Sequence, residues 1–201
     1  MQVQIFVWSF FLLCSFMSAA LTGASAPQEK PECVWCGAGE APKDLSWDIR
    51  IAAGDEPGEP MIISGRAFKA DGKTPAAGVI FYLYHTNAQG LYAKKGNETG
   101  NGVRHGHLRS WLRTGKDGRY RFTTIKPAPY SNRAEPSHVH ITVLEPGKKE
   151  YWLDSFHFKG DPLITDSIRK RFKNLGGSGI IDLKKNKEGV WIGERTIILP
   201  K

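Results

Sequence analysis

The sequence predicts an all-β fold: a β-sandwich of mainly antiparallel strands with long loops and one short helix. Three observations carry that prediction. From Trp47 onward the chain runs as short apolar segments separated by turn signals, the pattern of a sandwich or barrel. The turns Ala70-Asp-Gly-Lys73, Lys116-Asp-Gly-Arg119, Pro146-Gly-Lys148 and Lys187-Glu-Gly189 each carry glycine where a positive φ costs least. The 201 residues, 40% hydrophobic and 24% charged, suffice for one core and exclude a disordered, collagen-like or coiled-coil chain.

Residues 1–26 read as an export signal. The stretch Ile5 to Leu21 is apolar and ends in the small residues Thr22-Gly-Ala-Ser-Ala26, with cleavage expected after Ala26 or Ala24. An uncleaved anchor is the alternative, because the run is only slightly shorter than the roughly 20 apolar residues a spanning helix needs. The net charge of +8 lies wholly beyond Ala26. Residues 27–46, rich in Pro, Glu, Gly and Ala, read as a leader draped on the domain that follows. Cys33-Val-Trp-Cys36 in that leader, met by an oxidising compartment, favours a local disulfide. A redox motif or a zinc ribbon is the alternative, and each lacks its usual context, a βαβ setting or a second CxxC.

Residues 47–201 form the expected domain. Its strands are expected at Trp47–Ala52, Met61–Phe68, Gly78–His85, Arg119–Ile125, His138–Leu144, Tyr151–Phe158, Ile180–Leu183 and Val190–Leu199. The helix is expected over Asp166–Leu175, capped by Thr165 or Asp166 and stopped by Gly176-Gly177. Asn87 to Ser110 has no periodicity and several Gly and Asn, which reads as a long loop on a rigid sheet, the usual home of function.

The chemistry is sought first at His138-Val-His140. In a strand residues i and i+2 point to one face, so the two imidazoles converge. Alone the pair is a weak metal signal, and each tyrosine nearby reads alone as a strand-end aromatic capping the core. The surroundings change this. Tyr92 follows one buried-looking strand, in His85-Thr-Asn-Ala-Gln-Gly-Leu-Tyr92, and Tyr130 follows another, in Ile125-Lys-Pro-Ala-Pro-Tyr130.

These segments, together with Ile63-Ser-Gly-Arg66, Pro75-Ala-Ala-Gly-Val-Ile80, Thr114 to Phe122, Ser137-His-Val-His140 and Phe158-Lys-Gly-Asp-Pro162, resemble the intradiol ring-cleavage dioxygenases in the family's own order. The resemblance covers about half the chain. It implies a non-haem Fe(III) site held by Tyr92, Tyr130, His138 and His140, with Tyr130 opposite His140 as the ligand that substrate displaces. It implies a catechol-type substrate, O₂ as co-substrate and a cis,cis-muconate-type diacid as product. The donor set agrees on physical grounds, since phenolate is a hard anionic ligand suited to ferric iron and imidazole a general first-row ligand.

Two positions depart from the family pattern. Glu135 stands where the family has an arginine, three residues before the first ligand histidine, and Ser155 where it has a glutamine. Arg133 is the candidate to supply the missing cation and is counted with Tyr130 as catalytic. His85, His105 and His107 offer acid–base groups or a second metal, but a His-Gly-His in a basic loop reads first as solvated. Trp152 and His157 are candidates to wall the pocket. Basic runs at Arg169–Lys173 and Lys184–Lys187 invite a nucleic-acid reading, which export and the lack of any nucleic-acid module argue against. No membrane partner beyond the export signal is expected. The competing reading is a noncatalytic exported module, since Gly65 to Tyr84 alone also resembles transthyretin-like and adhesin repeats; a third is a zinc or copper site at the histidines without tyrosinate.

Overall fold

A computed structural model describes Met1 and residues 33–201; the expected export signal and the first residues of the leader lie outside that range. Residues Cys33–Lys201 make one compact unit. No helix among the described residues is long and apolar enough to cross a membrane.

The strands are β1 (Asp48–Arg50), β2 (Pro60–Phe68), β3 (Ile80–His85), β4 (Arg109–Arg113), β5 (Arg119–Ile125), β6 (His138–Leu144), β7 (Tyr151–Trp152), β8 (Phe156–Phe158), β9 (Ile180–Ile181), β10 (Lys184–Lys185), β11 (Trp191–Glu194) and β12 (Ile197–Ile198). Two single turns of helix, α1 (Gly102–His105) and α2 (Asp166–Arg169), and a 3₁₀ turn at Ala38–Glu40 complete the unit. One sheet runs β1-β5-β2-β11-β10 with β12 also on β2; the other runs β4-β3-β6-β8-β9 with β7 also on β6. The long pairings, β2 with β5 and β3 with β4 and β6, are antiparallel as expected.

The sheets meet through Met61, Ile63, Phe122, Phe81, Leu83, Val139, Ile141 and Val143, all fully buried. Their alternation is the period of two that puts every second residue of a strand into the core. On the far face of β2 and β5 stand Ile62, Ser64 and Arg66 beside Thr123, Arg121 and Arg119, none of them buried, so that sheet is half-solvated. By contrast β3 and β6 are covered on both sides. The cover over their outer face is the leader. Trp111 Nε1 donates to Gly37 O at 2.5 Å, and Glu150 accepts from Ala38 N at 2.6 Å and Gly39 N at 3.0 Å. Cys33 and Cys36 are disulfide-bonded at a Cα separation of 5.4 Å, which is the local bridge expected for the leader.

Several boundaries differ from expectation. Tyr151–Phe158 is two strands, because β7 pairs with Thr142 and Val143 while β8 pairs with His138 and Val139, and Leu153 to Ser155 bulge between them. Val190–Leu199 is likewise broken into β11 and β12, both parallel to β2, at the point where Arg195 turns inward. β4 is absent from the expected strands, and the expected loop Asn87 to Ser110 runs into it; Arg-Ser-Trp-Leu-Arg hides a strand because Trp111 on its outer face binds the leader rather than water. The helix is only one turn long. Thr165 caps it, its hydroxyl accepting from Ile168 N at 3.4 Å, but no residue of α2 is buried, so nothing prolongs it. The chain then turns Phe172 onto His157, with ring centroids 4.6 Å apart.

Candidate functional site

Alternation along β6 sends Val139 and Ile141 into the core and His138 and His140 to the covered outer face. Two loops bring the tyrosines to the same place. Asn87 shapes the first, its side-chain oxygen accepting from Gln89 N and Leu91 N at 3.0 Å each. Its carbonyl takes Ala128 N at 3.2 Å, which ties this loop to the second. Gly90, with φ +75°, lies so close to the second loop that a Cβ would collide with the Pro129 carbonyl and come within 2.9 Å of Ser131 N. Only glycine allows that approach, and it sets Tyr92 against Tyr130.

The four side chains then meet at their polar tips. Tyr92 Oη lies 2.9 Å from Tyr130 Oη and 2.9 Å from His140 Nε2. Tyr130 Oη is 3.2 Å from His140 Nε2, and His138 Nε2 is 2.9 Å from His140 Nε2. His138 Nδ1 faces the Pro136 carbonyl at 2.6 Å, which requires the proton on Nδ1 and leaves Nε2 a bare lone pair. A backbone carbonyl holding the remote nitrogen of an imidazole in this way is the usual support of a metal-ligating histidine. Ser155 Oγ lies 3.4 Å from His140 Nδ1. Tyr84, the β3 partner of His140, stacks on its ring at 4.4 Å, and Trp152 meets it edge-on at 5.8 Å.

Burial dominates the electrostatics of the cluster. Burial holds the Tyr92 phenol far above its ordinary range, the neighbouring Tyr130 adding to the effect, and burial also raises Tyr130 despite its bond to Tyr92. Burial lowers His138, and His140 is pushed well below the usual range by burial and by its histidine neighbours. Both imidazoles are therefore neutral, and neither phenol ionises by itself. Two oxygens and two ring nitrogens crowd one point with too few protons between them. A cation there would take all four lone pairs and deprotonate both phenols, so the residues present fit a metal of the kind the donor set prefers.

The other candidates fall elsewhere. Arg133, expected near substrate, follows Tyr130 on an exposed turn at φ +55°, and its own backbone N–H closes that turn on Tyr130 O at 2.6 Å. It lines a groove with Lys126, Pro127, Asp161 and Trp191, and none of the four donors is in that wall. The cation beside Glu135 is Arg171 instead, donating to Glu135 Oε1 at 2.5 Å. Arg171 belongs to a basic run that reads as a solvated helix face, and only the short α2 and the turn after it carry it here. His105 and His107 are not solvated, against expectation. His105 is buried, stacked on Tyr84 at 3.8 Å and bonded to Tyr82 Oη at 2.9 Å. His107 bridges Ala93 O at 2.8 Å and Glu56 at 2.9 Å, bracing the Tyr92 loop from outside. His85 is bonded to Thr124 Oγ1 and Thr86 O at 2.7 and 2.8 Å. None of the three is at the cluster, and each is better placed to hold loops than to bind a second metal.

The sequence profile of the family described as Dioxygenase (Dioxygenase_C) matches residues 37–175, which contain both loops, β6 and Glu135. Catechol 1,2-dioxygenase 1 of Acinetobacter lwoffii is 31% identical over 130 residues, covering 57% of this chain and 40% of that protein. The protocatechuate 3,4-dioxygenase beta chain of Burkholderia cepacia is 29% identical over 121 residues, covering 57% and 51%. The chain thus spans about half the length of these relatives. In fold it is similar to catechol 1,2-dioxygenase from Acinetobacter sp. ADP1, with a TM-score of 0.62 at 22% identity over 80% of this chain and 59% of that one. It is also similar to the dioxygenase domain of a dioxygenase carbohydrate-binding protein fusion from Streptomyces sp. SirexAA-E, with a TM-score of 0.58 at 21% identity over 79% and 90%. With two tyrosines and a His-x-His gathered on the outer face of one sheet, and with a profile match over most of the domain, this chain belongs to the intradiol ring-cleavage dioxygenase family.

Proposed function

We propose that this chain is an exported dioxygenase that holds Fe(III) at Tyr92, Tyr130, His138 and His140. Its reaction is cleavage of a catechol-type ring between the two hydroxyls with O₂, giving a cis,cis-muconate-type diacid. The observation that carries the reading is the meeting of two phenol oxygens and two imidazole nitrogens, His140 Nε2 lying 2.9–3.2 Å from each of the other three. Export rests on the apolar opening stretch with its small-residue end.

Ferric iron, when bound, supplies a Lewis acid and a template on which the ring diol and O₂ are brought together. The chain does the rest. His138 and His140 present their Nε2 atoms from a rigid strand, and Pro136 O fixes the tautomer of the first. The Tyr92 ring lies 5.8 Å from that of Tyr84, and Gly106 packs against the Tyr92 backbone. Tyr130 precedes four exposed residues, Ser131–Ala134, so its side chain is the freer of the two phenols to leave the cluster and hold a substrate proton on its oxygen. Tyr84 and Trp152 shield His140 from water. A part for Arg133 in catalysis runs through the turn it closes on Tyr130 rather than through its guanidinium.

The visible spectrum of the iron-loaded protein, with and without catechol in the absence of O₂, tests the reading. A phenolate-to-iron band that shifts to longer wavelength with catechol supports it. A colourless protein that takes up no iron returns the noncatalytic module, and metal uptake without a phenolate band returns the zinc or copper site. Tyr130→Phe should alter the band and lower turnover by about 10²–10⁴-fold, the range for losing a positioned proton-transfer group.

A further inference from the structure

The two histidines of the cluster are held in different ways. His138 Nδ1 meets the Pro136 carbonyl at 2.6 Å, whereas His140 Nδ1 has only Ser155 Oγ, at 3.4 Å, too long to fix a ring. The last torsion of a histidine side chain is broad by itself, and a metal-ligating ring is ordinarily oriented by a partner at its remote nitrogen. The plane of His140 is therefore set from its faces. Among its neighbours His138 and Trp152 stand edge-on, at 87° and 70°, and Tyr92 is tilted at 6.4 Å. Tyr84 lies flat against it, at 4.4 Å and 20°.

The Tyr84 ring is also stacked on His105, with centroids 3.8 Å and planes 6° apart. His105, Tyr84 and His140 thus form one run of stacked rings, and the first two are buried, at 2% and 4% exposure. His105 is itself fixed. Its Nδ1 bonds Tyr82 Oη at 2.9 Å, and its backbone N–H donates to Asn101 O at 2.9 Å in α1. A single helical turn does not hold itself. The leader holds this one, Asn101 Nδ2 donating to Cys36 O at 2.5 Å and to Glu40 Oε1 at 2.8 Å. His105 Nε2 is buried without a hydrogen-bond partner among the described residues, a cost that the ring's place in the stack explains.

We propose that His105 is a positioning residue for the ligand His140, fixing the plane of its ring through Tyr84. A fixed ring packed flat on Tyr84 leaves it no room to turn, and a Tyr84 that cannot turn denies rotation to His140. His105 thereby does for His140 what the Pro136 carbonyl does for His138, without itself reaching the cluster. This rests on the reading of the cluster as an iron site.

The test is uptake of Fe(III) by the full chain in competition with nitrilotriacetate, together with the ring-proton NMR shifts of His140 in the iron-free chain. His105→Leu fills the space without a flat ring and should weaken iron binding about tenfold, the low end of the range for losing an outer support of a metal ligand. It should also move the His140 ring protons out of the upfield position that the face of Tyr84 gives them. His105→Phe loses the same bond to Tyr82 yet returns a flat ring to Tyr84, and should recover most of both. Tyr84→Leu, which removes the middle ring, should weaken iron at least as much as His105→Leu does. Met61→Ala, a truncation in the core on β2, should lower the urea midpoint and leave iron affinity unchanged. Equal iron affinity in His105→Leu and His105→Phe, His140 protons unmoved by His105→Leu, or an equal loss of iron in Met61→Ala overturns the inference while leaving the iron site intact. If the unaltered chain takes up no iron, the iron reading falls and this one with it.

Discussion

The two sheets of the sandwich differ in what lies on their outer faces. The β2–β5 sheet turns Ser64, Arg66, Arg119 and Arg121 to solvent, as an antiparallel sheet with one buried face ordinarily does. The β3–β6 sheet instead buries Tyr82, Tyr84, His138 and Thr142 under the leader and two loops. Polar groups in a covered face must find partners or a ligand, and here Thr142 finds Glu150 while the histidines find each other and two tyrosines. A solvated face could hold the same residues without forcing them together. Cover, more than strand sequence, makes the β3–β6 face a site.

Neighbouring residues of β6 should separate these roles most sharply. Ile141→Ala, on the core face, should cost about 3 kcal/mol of unfolding free energy by urea titration, as buried aliphatic truncations do. His140→Ala, one residue away, should cost less stability and yet abolish iron uptake and turnover. Should Ile141→Ala prove the milder change, the division of faces drawn here is wrong. Gly90→Ala tests the cover. Its φ of +75° and the Pro129 carbonyl in its path should together cost about 2 kcal/mol and move Tyr92 off the cluster, read as loss of the phenolate band.

Acid should act on the buried histidines. His85 is fully buried with its pKa lowered by desolvation to about 4, so between pH 6.5 and 4 the unfolded chain binds a proton that the folded chain refuses. Stability is therefore complete above about pH 6.5 and falls as pH drops toward 4, on the order of 2 kcal/mol for this group by pH 4.5. His105, also near 4, adds to the same trend. Urea midpoints at pH 7 and 4.5 should diverge less in His85→Gln than in the parent chain, and an equal divergence would assign the acid sensitivity elsewhere. The smallest effect is expected from Glu150→Gln. It weakens the bonds to Ala38, Gly39 and Thr142, for a loss of about 1 kcal/mol and faster proteolysis within the leader.

Much of this was legible in sequence because it follows a period or a turn rule. The alternation of Met61, Ile63 and Phe122 and of Val139, Ile141 and Val143 marks core strands, and Asn87 with Gly90 marks the turn that presents Tyr92. The four donors were legible only through resemblance, since each alone is an ordinary residue. What escaped notice did so for local reasons. β4 shows no clean alternation, and Lys184–Lys185 looks like a charge run, although lysine is a common guard on an edge strand. His105 and His107 looked solvated because nothing near them in sequence reveals that Tyr84, Glu56 and Ala93 would enclose them.

The sequence by itself determined the long core strands and their inward faces, because side-chain period and turn chemistry act over a few residues, and its ordered motifs determined the family to which the chain belongs. Tertiary structure alone decided that Arg171 rather than Arg133 stands beside Glu135 and that the leader covers the outer face of the β3–β6 sheet. Those outcomes depend on contacts between segments tens of residues apart, such as Glu135 with Arg171 and Ala38 with Glu150, and no local pattern encodes which distant partner a charged or polar group will meet.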